Sequence, residues 1–132
     1  MIFDEAVKYC EFLDMKIIFP QDDQETKDLA KLENGKFWIA ITDSDSEGNW
    51  TNIYTGEKPK FYTKWKEGEP NGGGEHHAIF NTKNEGLWND VKGSNKYNTI
   101  CVKGIYINPK TIIFVNSIGV SIRLIIYFEL ME

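Results

Sequence analysis

Residues 43–96 carry eight of the chain's eleven glycines, two of its four prolines (Pro59 and Pro70) and three of its four tryptophans, Trp50, Trp65 and Trp88. Regular periodicity is hard to find across them. The segment therefore reads as long loops pinned by isolated large aromatics, and loops of that length inside a compact domain are usually functional. Strand-like runs bound it: Phe37-Trp38-Ile39-Ala40-Ile41 lies between Gly35 and the turn-rich 43–48, and Asn98-Thr99-Ile100-Cys101-Val102 precedes Gly104. The 132 residues leave room for one domain and not two, and a hydrophobic content of 41% is enough to bury its core.

Two helices are predicted ahead of the loops. Phe3, Ala6, Val7, Cys10 and Leu13 recur at steps of three and four over residues 3–13, leaving the opposite face acidic. Asp22 with Glu25 has capping-box spacing, and Leu29, Ala30 and Leu32 lead to a stop at Asn34-Gly35. Between the helices, residues 16–20 read as a short extended link closed by Pro20. Residues 1–34 hold nine acids against four lysines, and the remaining charges cancel, so the whole net charge of −5 sits at the N-terminal end. That pattern suits solvated helix faces and offers no positive field to a phosphate backbone, which argues against nucleic acid as a partner.

Cys10 and Cys101 lie ninety-one residues apart, too far for the clustered spacing of thiolate metal sites or Cys-x-x-Cys motifs. They read as one long staple or as two buried thiols. Charged Asp4, Glu5 and Lys8 follow Met1 at once and no secretory signal is visible, so the counts alone lean slightly to thiols. After Gly104, residues 105–132 hold eight isoleucines, as many as the preceding 104 residues. The run 112–128 is interrupted by Asn116, Ser117, Gly119, Ser121 and Arg123 and falls short of the roughly 20 apolar residues a membrane span needs. Extra strands packed on the domain rank first, with a disordered or aggregation-prone extension and a span behind them.

Candidate chemistry is concentrated in 65–90: Trp65-Lys66-Glu67-Gly68-Glu69-Pro70-Asn71, then Gly72-Gly73-Gly74-Glu75, then Leu87-Trp88-Asn89-Asp90. Carboxylates and carboxamides on glycine-rich loops, with no thiolate or obligate imidazole, are the hard oxygen donors that calcium selects. Singly they are ordinary loop residues; together they form a pattern.

Over residues 3–103 that pattern resembles a C-type lectin carbohydrate-recognition domain. The matches are Phe3-Asp4-Glu5-Ala6 with Cys10, Trp38-Ile39-Ala40, Glu47-Gly48-x-Trp50, Trp65 with Gly68-Glu69-Pro70-Asn71, Trp88-Asn89-Asp90 and Ile100-Cys101. The resemblance implies an α+β, C-type lectin-like fold, with two helices flanking small antiparallel sheets and long calcium-binding loops. Residues 1–104 would form that domain and 105–132 an isoleucine-rich extension. It further implies a Ca2+ ion held by Glu69, Asn71, Glu75, Asn89 and Asp90. Pro70 would be in cis, turning the Glu69 and Asn71 carbonyls so that both side chains face one ion. A Cys10–Cys101 disulfide and structural roles for Trp38, Trp50, Trp65 and Trp88 complete the inventory. The implied function is calcium-dependent carbohydrate binding without catalysis. Two vicinal hydroxyls would coordinate the ion, while Glu69 and Glu75 accept and Asn71 and Asn89 donate hydrogen bonds. In the family the Glu-Pro-Asn form goes with mannose, glucose, N-acetylglucosamine and fucose, not galactose, so glycans bearing such sugars are the implied partners and an extracellular or secreted setting the implied location.

Several positions depart from the family pattern. Its second disulfide would join positions 77 and 93, which here are His77 and Gly93, and Glu75 follows Asn71 by only four positions. Asp43 and Glu47 match an auxiliary calcium site of some members, but Gly72 and His76 occupy its other acidic positions, so the resemblance does not carry that site. The strand that normally precedes the first helix is also missing, and the isoleucine-rich tail is a candidate to substitute for it. Two competing functions follow. One is a protein-interaction domain of the same fold with weak or no sugar binding; the other is a metal-dependent hydrolase around Glu75, His76 and His77. The latter is disfavoured because strand neighbours point to opposite faces, leaving one histidine buried and one exposed. Asn49-Trp50-Thr51 is a glycosylation sequon, relevant only to an exported chain.

Overall fold

The computed structural model describes residues 1–103, 110–116 and 119–125. The extension expected over 105–132 therefore lies partly outside the described residues. Helix α1 (Phe3–Phe12) buries Phe3, Ala6 and Cys10, the apolar stripe of the sequence, and carries Asp4 and Glu5 in its first turn, where the helix dipole favours negative charge. Helix α2 (Asp23–Leu32) is capped by the Asp22 carboxylate, which accepts from the Glu25 N–H at 2.8 Å, and buries Leu29.

Strand β1 (Lys16–Ile17) falls within the stretch expected to be a plain link. It instead pairs with a strand more than eighty residues later, and that long-range partner is why local pattern did not reveal it. The remaining strands are β2 (Lys36–Thr42), β3 (Thr51–Asn52), β4 (His77–Asn81), β5 (Leu87–Val91), β6 (Thr99–Lys103), β7 (Lys110–Asn116) and β8 (Gly119–Ile125). They form two four-stranded sheets, ordered β1-β6-β7-β8 and β3-β2-β4-β5, with every strand pairing antiparallel. Five consecutive residues of β2, Phe37 to Ile41, are buried, which accounts for an apolar run with no polar alternation. The tail strands continue the sheet from β6, with Thr99 opposite Val115 and Lys103 opposite Thr111. The β7 residues Ile112, Ile113, Phe114 and Val115 are buried, while Val120 on β8 is exposed.

Cys10 and Cys101 form a disulfide tying α1 to β6. Closing a loop of 91 residues contributes about 4–5 kcal/mol in the chain-entropy account of such cross-links. Trp38 is fully buried against Phe3 and its indole N–H donates to the Met1 carbonyl at 2.9 Å. In the loops the tryptophans act as a chain of pins. Trp50 packs on Trp65 at 5.0 Å and Trp65 on Trp88 at 5.6 Å between ring centres, with Trp50 and Trp88 buried and Trp65 partly so.

Where the family's second disulfide would stand, His77 packs over Gly93. A Cβ at position 93 would lie 2.8 Å from His77 Nδ1, so only glycine lets the ring approach. The Phe3 N–H also donates to the Gly93 carbonyl at 3.0 Å, so packing and a backbone bond hold α1 to this turn.

Candidate functional site

The loop after Trp65 is docked on β5 before it reaches the acidic motif. The Trp88 N–H donates to the Lys64 carbonyl at 2.7 Å and the Lys66 N–H to the Trp88 carbonyl at 2.9 Å, which extends the sheet by one isolated bridge between Trp65 and Trp88. A turn closed by the Glu69 N–H on the Lys66 carbonyl follows at 2.8 Å, and the Glu69–Pro70 peptide bond is cis. Asp90, buried on β5 opposite Ala78, then grips the next residues from below: its two oxygens accept from the Asn71 N–H at 3.1 Å and the Gly72 N–H at 2.8 Å.

Glu69 lies against the same carboxylate. Hydrogen bonding to Asp90, together with burial and the charges of Asp90 and Glu75, pushes its pKa from 4.5 up to about 7. Its Oε2 is out of contact with solvent and has no hydrogen-bond partner. Glu75, directly before His76, is raised by burial and by the Asp90 charge. Asn89 is half-buried on β5 opposite Ile79, next to Trp88, and Asn71 is exposed on the loop. The structure thus brings Glu69, Glu75 and Asp90 into mutual electrostatic contact. Among the described residues they do not converge as tightly as Asp43, Glu47 and His76, whose ligand atoms all lie within 4.8 Å of one another.

Glu69 and Glu75, both raised by the nearby Asp90 charge, and the unpartnered buried oxygen of Glu69 leave this cluster of carboxylates without a compensating positive charge. Its donors are all oxygen, so the residues present fit a hard cation such as calcium and fit a soft metal poorly.

A family model for the lectin C-type domain matches residues 1–103. The chain belongs to the C-type lectin domain family. Among curated proteins it is 34% identical over 75 residues to the hepatic lectin of Gallus gallus, a match covering 57% of this chain and 36% of that protein, so the chain spans only about a third of that relative's length. Among solved structures it is similar to the human scavenger receptor C-type lectin carbohydrate-recognition domain, with 30% identity and a TM-score of 0.67 over 76% of this chain and 81% of that one. It also resembles the carbohydrate-recognition domain of cow CD23, solved in the presence of a GlcNAc2Man3 oligosaccharide, with 28% identity and a TM-score of 0.66 over 76% and 78% of the two chains. C-type lectin domains are binding modules and not enzymes. Their proteins are typically extracellular or membrane-anchored; among the described residues here, no helix is long and apolar enough to cross a membrane.

The adjacent histidines diverge as strand geometry requires. His77 packs against Phe3 with ring centres 4.2 Å apart and planes tilted by 47°, and burial lowers its pKa, while His76 Nδ1 turns to Asp43 Oδ1 at 2.9 Å. Neither reaches the buried or exposed extreme expected of the pair: His77 is half-buried and the His76 side chain is 40% exposed. Their divergence also removes the basis for a hydrolase centre on Glu75, His76 and His77. Asp43, Glu47 and His76, which the family resemblance put at positions of one auxiliary site, converge here, although the residues alone did not show it. The four-residue step from Asp43 to Glu47 was visible, but the approach of residue 76 depends on β2 and β4 pairing, with Thr42 opposite His77.

Proposed function

We propose that this C-type lectin domain binds calcium through Glu69, Asn71, Glu75, Asn89 and Asp90, and with it sugars bearing an equatorial vicinal diol, of the mannose, glucose, N-acetylglucosamine and fucose type. The observation that carries the reading is the buried, unpartnered Oε2 of Glu69 in a carboxylate cluster that lifts its pKa to about 7. Such a cluster gains most from a divalent cation. The order Glu69-Pro70-Asn71 and the glycan present with the cow CD23 domain point the same way.

Calcium, when bound, supplies coordination positions that hydroxyl oxygens take in place of water. The chain's own residues orient the diol. Glu69 and Glu75 accept hydrogen bonds from its hydroxyls, and Asn71 and Asn89 donate to them. Asp90 holds the Asn71 and Gly72 amides and so fixes the loop that carries Asn71. An extracellular setting, in which the Cys10–Cys101 bond persists, belongs to the same proposal.

Retention on a mannose resin with calcium, and release by chelator, is the expected result. Retention that chelator does not reverse would overturn the calcium role, and no retention by a calcium-loaded protein would favour a protein-recognition module. A calcium titration followed by tryptophan fluorescence reports the first step, since Trp88 adjoins Asn89 and Asp90.

A further inference from the structure

At the end of β4 away from Glu75 lies an open cleft of about 340 Å3 that belongs to no part of the reading above. Three lysines from separate segments line it: Lys36 at the start of β2, Lys83 in the turn after β4, and Lys96 in the loop before β6. Backbone pairing brings them together. Lys36 stands opposite Asn81 in the β2–β4 ladder, and the Asn98 N–H donates to the Lys36 carbonyl at 3.2 Å. The Lys83 N–H donates to the Asn81 side-chain oxygen at 3.0 Å. The base of the cleft is closely built, since a Cβ at Gly35 would lie 3.1 Å from Asn98 Nδ2.

Charge decides what such a cleft can hold. Lys31, Lys64 and Lys103 each meet an aspartate at 3.7, 2.9 and 3.1 Å. Among the described residues, none of the three cleft lysines is held in an ion pair, and no carboxylate lines the cleft. Like charges around one concavity focus positive potential into it, which a bound anion relieves. The other walls are the Asn81 and Asn98 carboxamides and Tyr97, whose ring is set edge-on to Trp38 with centres 5.0 Å apart. Carboxamides both donate to and accept from hydroxyls, and the tyrosine adds aromatic surface. The volume lies at the small end of ligand sites, about 300–1,000 Å3, so it suits one ring with a charged substituent. A net charge of −5 still disfavours a long phosphate backbone.

We propose that this cleft is a second, calcium-independent saccharide site, for a sugar that bears a sulfate or phosphate group. Lys36, Lys83 and Lys96 meet the anionic group, Asn81 and Asn98 hydrogen-bond to ring hydroxyls, and the ring packs on Tyr97. Strand β4 runs from beside Glu75 to the cleft, a rise of about 13 Å, so occupancy of one site leaves the other open.

The test uses the whole chain in chelator, so that calcium-dependent binding is absent and its failure cannot be mistaken for failure here. Isothermal titration with N-acetylglucosamine 6-sulfate and with mannose 6-phosphate should show one site per chain for at least one of them, and the tighter of the two identifies the anionic group. Uncharged N-acetylglucosamine, inorganic sulfate and inorganic phosphate should each bind at least tenfold more weakly. Affinity should fall as salt is raised. Lys36→Gln, Lys83→Gln and Lys96→Gln combined should weaken binding about tenfold, the scale of three solvent-facing ion pairs. Lys31→Gln with Lys103→Gln, which removes exposed charge elsewhere, should not. Near-UV circular dichroism establishes that each variant is folded, and if the triple variant is not, Lys83→Gln and Lys96→Gln singly take its place. No binding by either charged sugar, equal binding of the free anions, or affinity unchanged in the lysine variants would overturn the site.

Discussion

Glu69, Glu75 and Asp90 on one flank of the loops, and Asp43, Glu47 and His76 on the other, are neighbouring acidic clusters with opposite solutions to crowded charge. In the second, an imidazole stands between two carboxylates, and the buried Asp43 is satisfied by it and by one backbone amide. In the first, carboxylate meets carboxylate, one pKa rises to about 7, and a buried oxygen is left without a partner. The difference teaches that acidic residues alone do not mark a calcium site. What marks it is acidity that the protein has not itself neutralised.

The largest expected effect breaks the symmetry between the clusters. Asp90→Ala removes a carboxylate and both amide contacts to the loop; hydrogen bonds to charged groups are worth about 1.5–3 kcal/mol each, so calcium affinity should fall about 100-fold or more. Sugar retention should vanish with it. His76→Ala should leave calcium affinity nearly unchanged by the same titration; an equal loss in both variants would show that the clusters act as one. In parallel, chelator should increase protease cutting within residues 66–76 and spare the helices, because uncompensated carboxylates repel.

A smaller effect sharpens the roles within the first cluster. Glu69→Gln with Asn71→Asp keeps the ligand count and the charge but exchanges acceptor and donor. Preference should move from mannose toward galactose by about tenfold or more if even one charge-assisted hydrogen bond is mismatched. Competition by the two free sugars against an immobilised glycan measures it, and an unchanged ranking in a variant that binds both calcium and sugar would remove these roles from Glu69 and Asn71.

The smallest effect is on pH dependence. Glu69 has its folded pKa raised, so without calcium its contribution to stability is fully present below 4.5 and is lost as pH rises through about 7. Wild type compared with Glu69→Gln in chelator should therefore gain relative melting temperature between pH 7 and pH 5. Calcium binding should respond oppositely, weakening over the same interval as protons compete for the carboxylate. A pH-independent difference between the two proteins would show that Glu69 is not perturbed.

Much of this was legible before any coordinates. The Asp22 cap, the α1 stripe and the unbroken apolar run of β2 are short-range signals. The Glu69-Pro70-Asn71 and Trp88-Asn89-Asp90 groups lie on contiguous stretches whose order along the chain is itself informative. What escaped depends on distant partners. Strand β1 is two residues long and exists through β6, and the direct Asp43–His76 contact, which only the family resemblance hinted at, forms across a sheet register. His77 covers Gly93 because one side chain is missing, which sequence shows only as a lost cysteine pair. The isoleucine-rich stretch admitted several readings because burial in a sheet and burial in lipid select the same residues.

The Cys10–Cys101 bond has a consequence for how this domain would age outside a cell. It brackets every loop of both clusters, so a peptidase nick anywhere between residues 10 and 101 yields two pieces still held as one covalent body. Such a clipped molecule would keep its mass on a non-reducing gel and separate only on reduction. Damage at the exposed loops would then accumulate as altered ligand recognition before it appeared as lost protein.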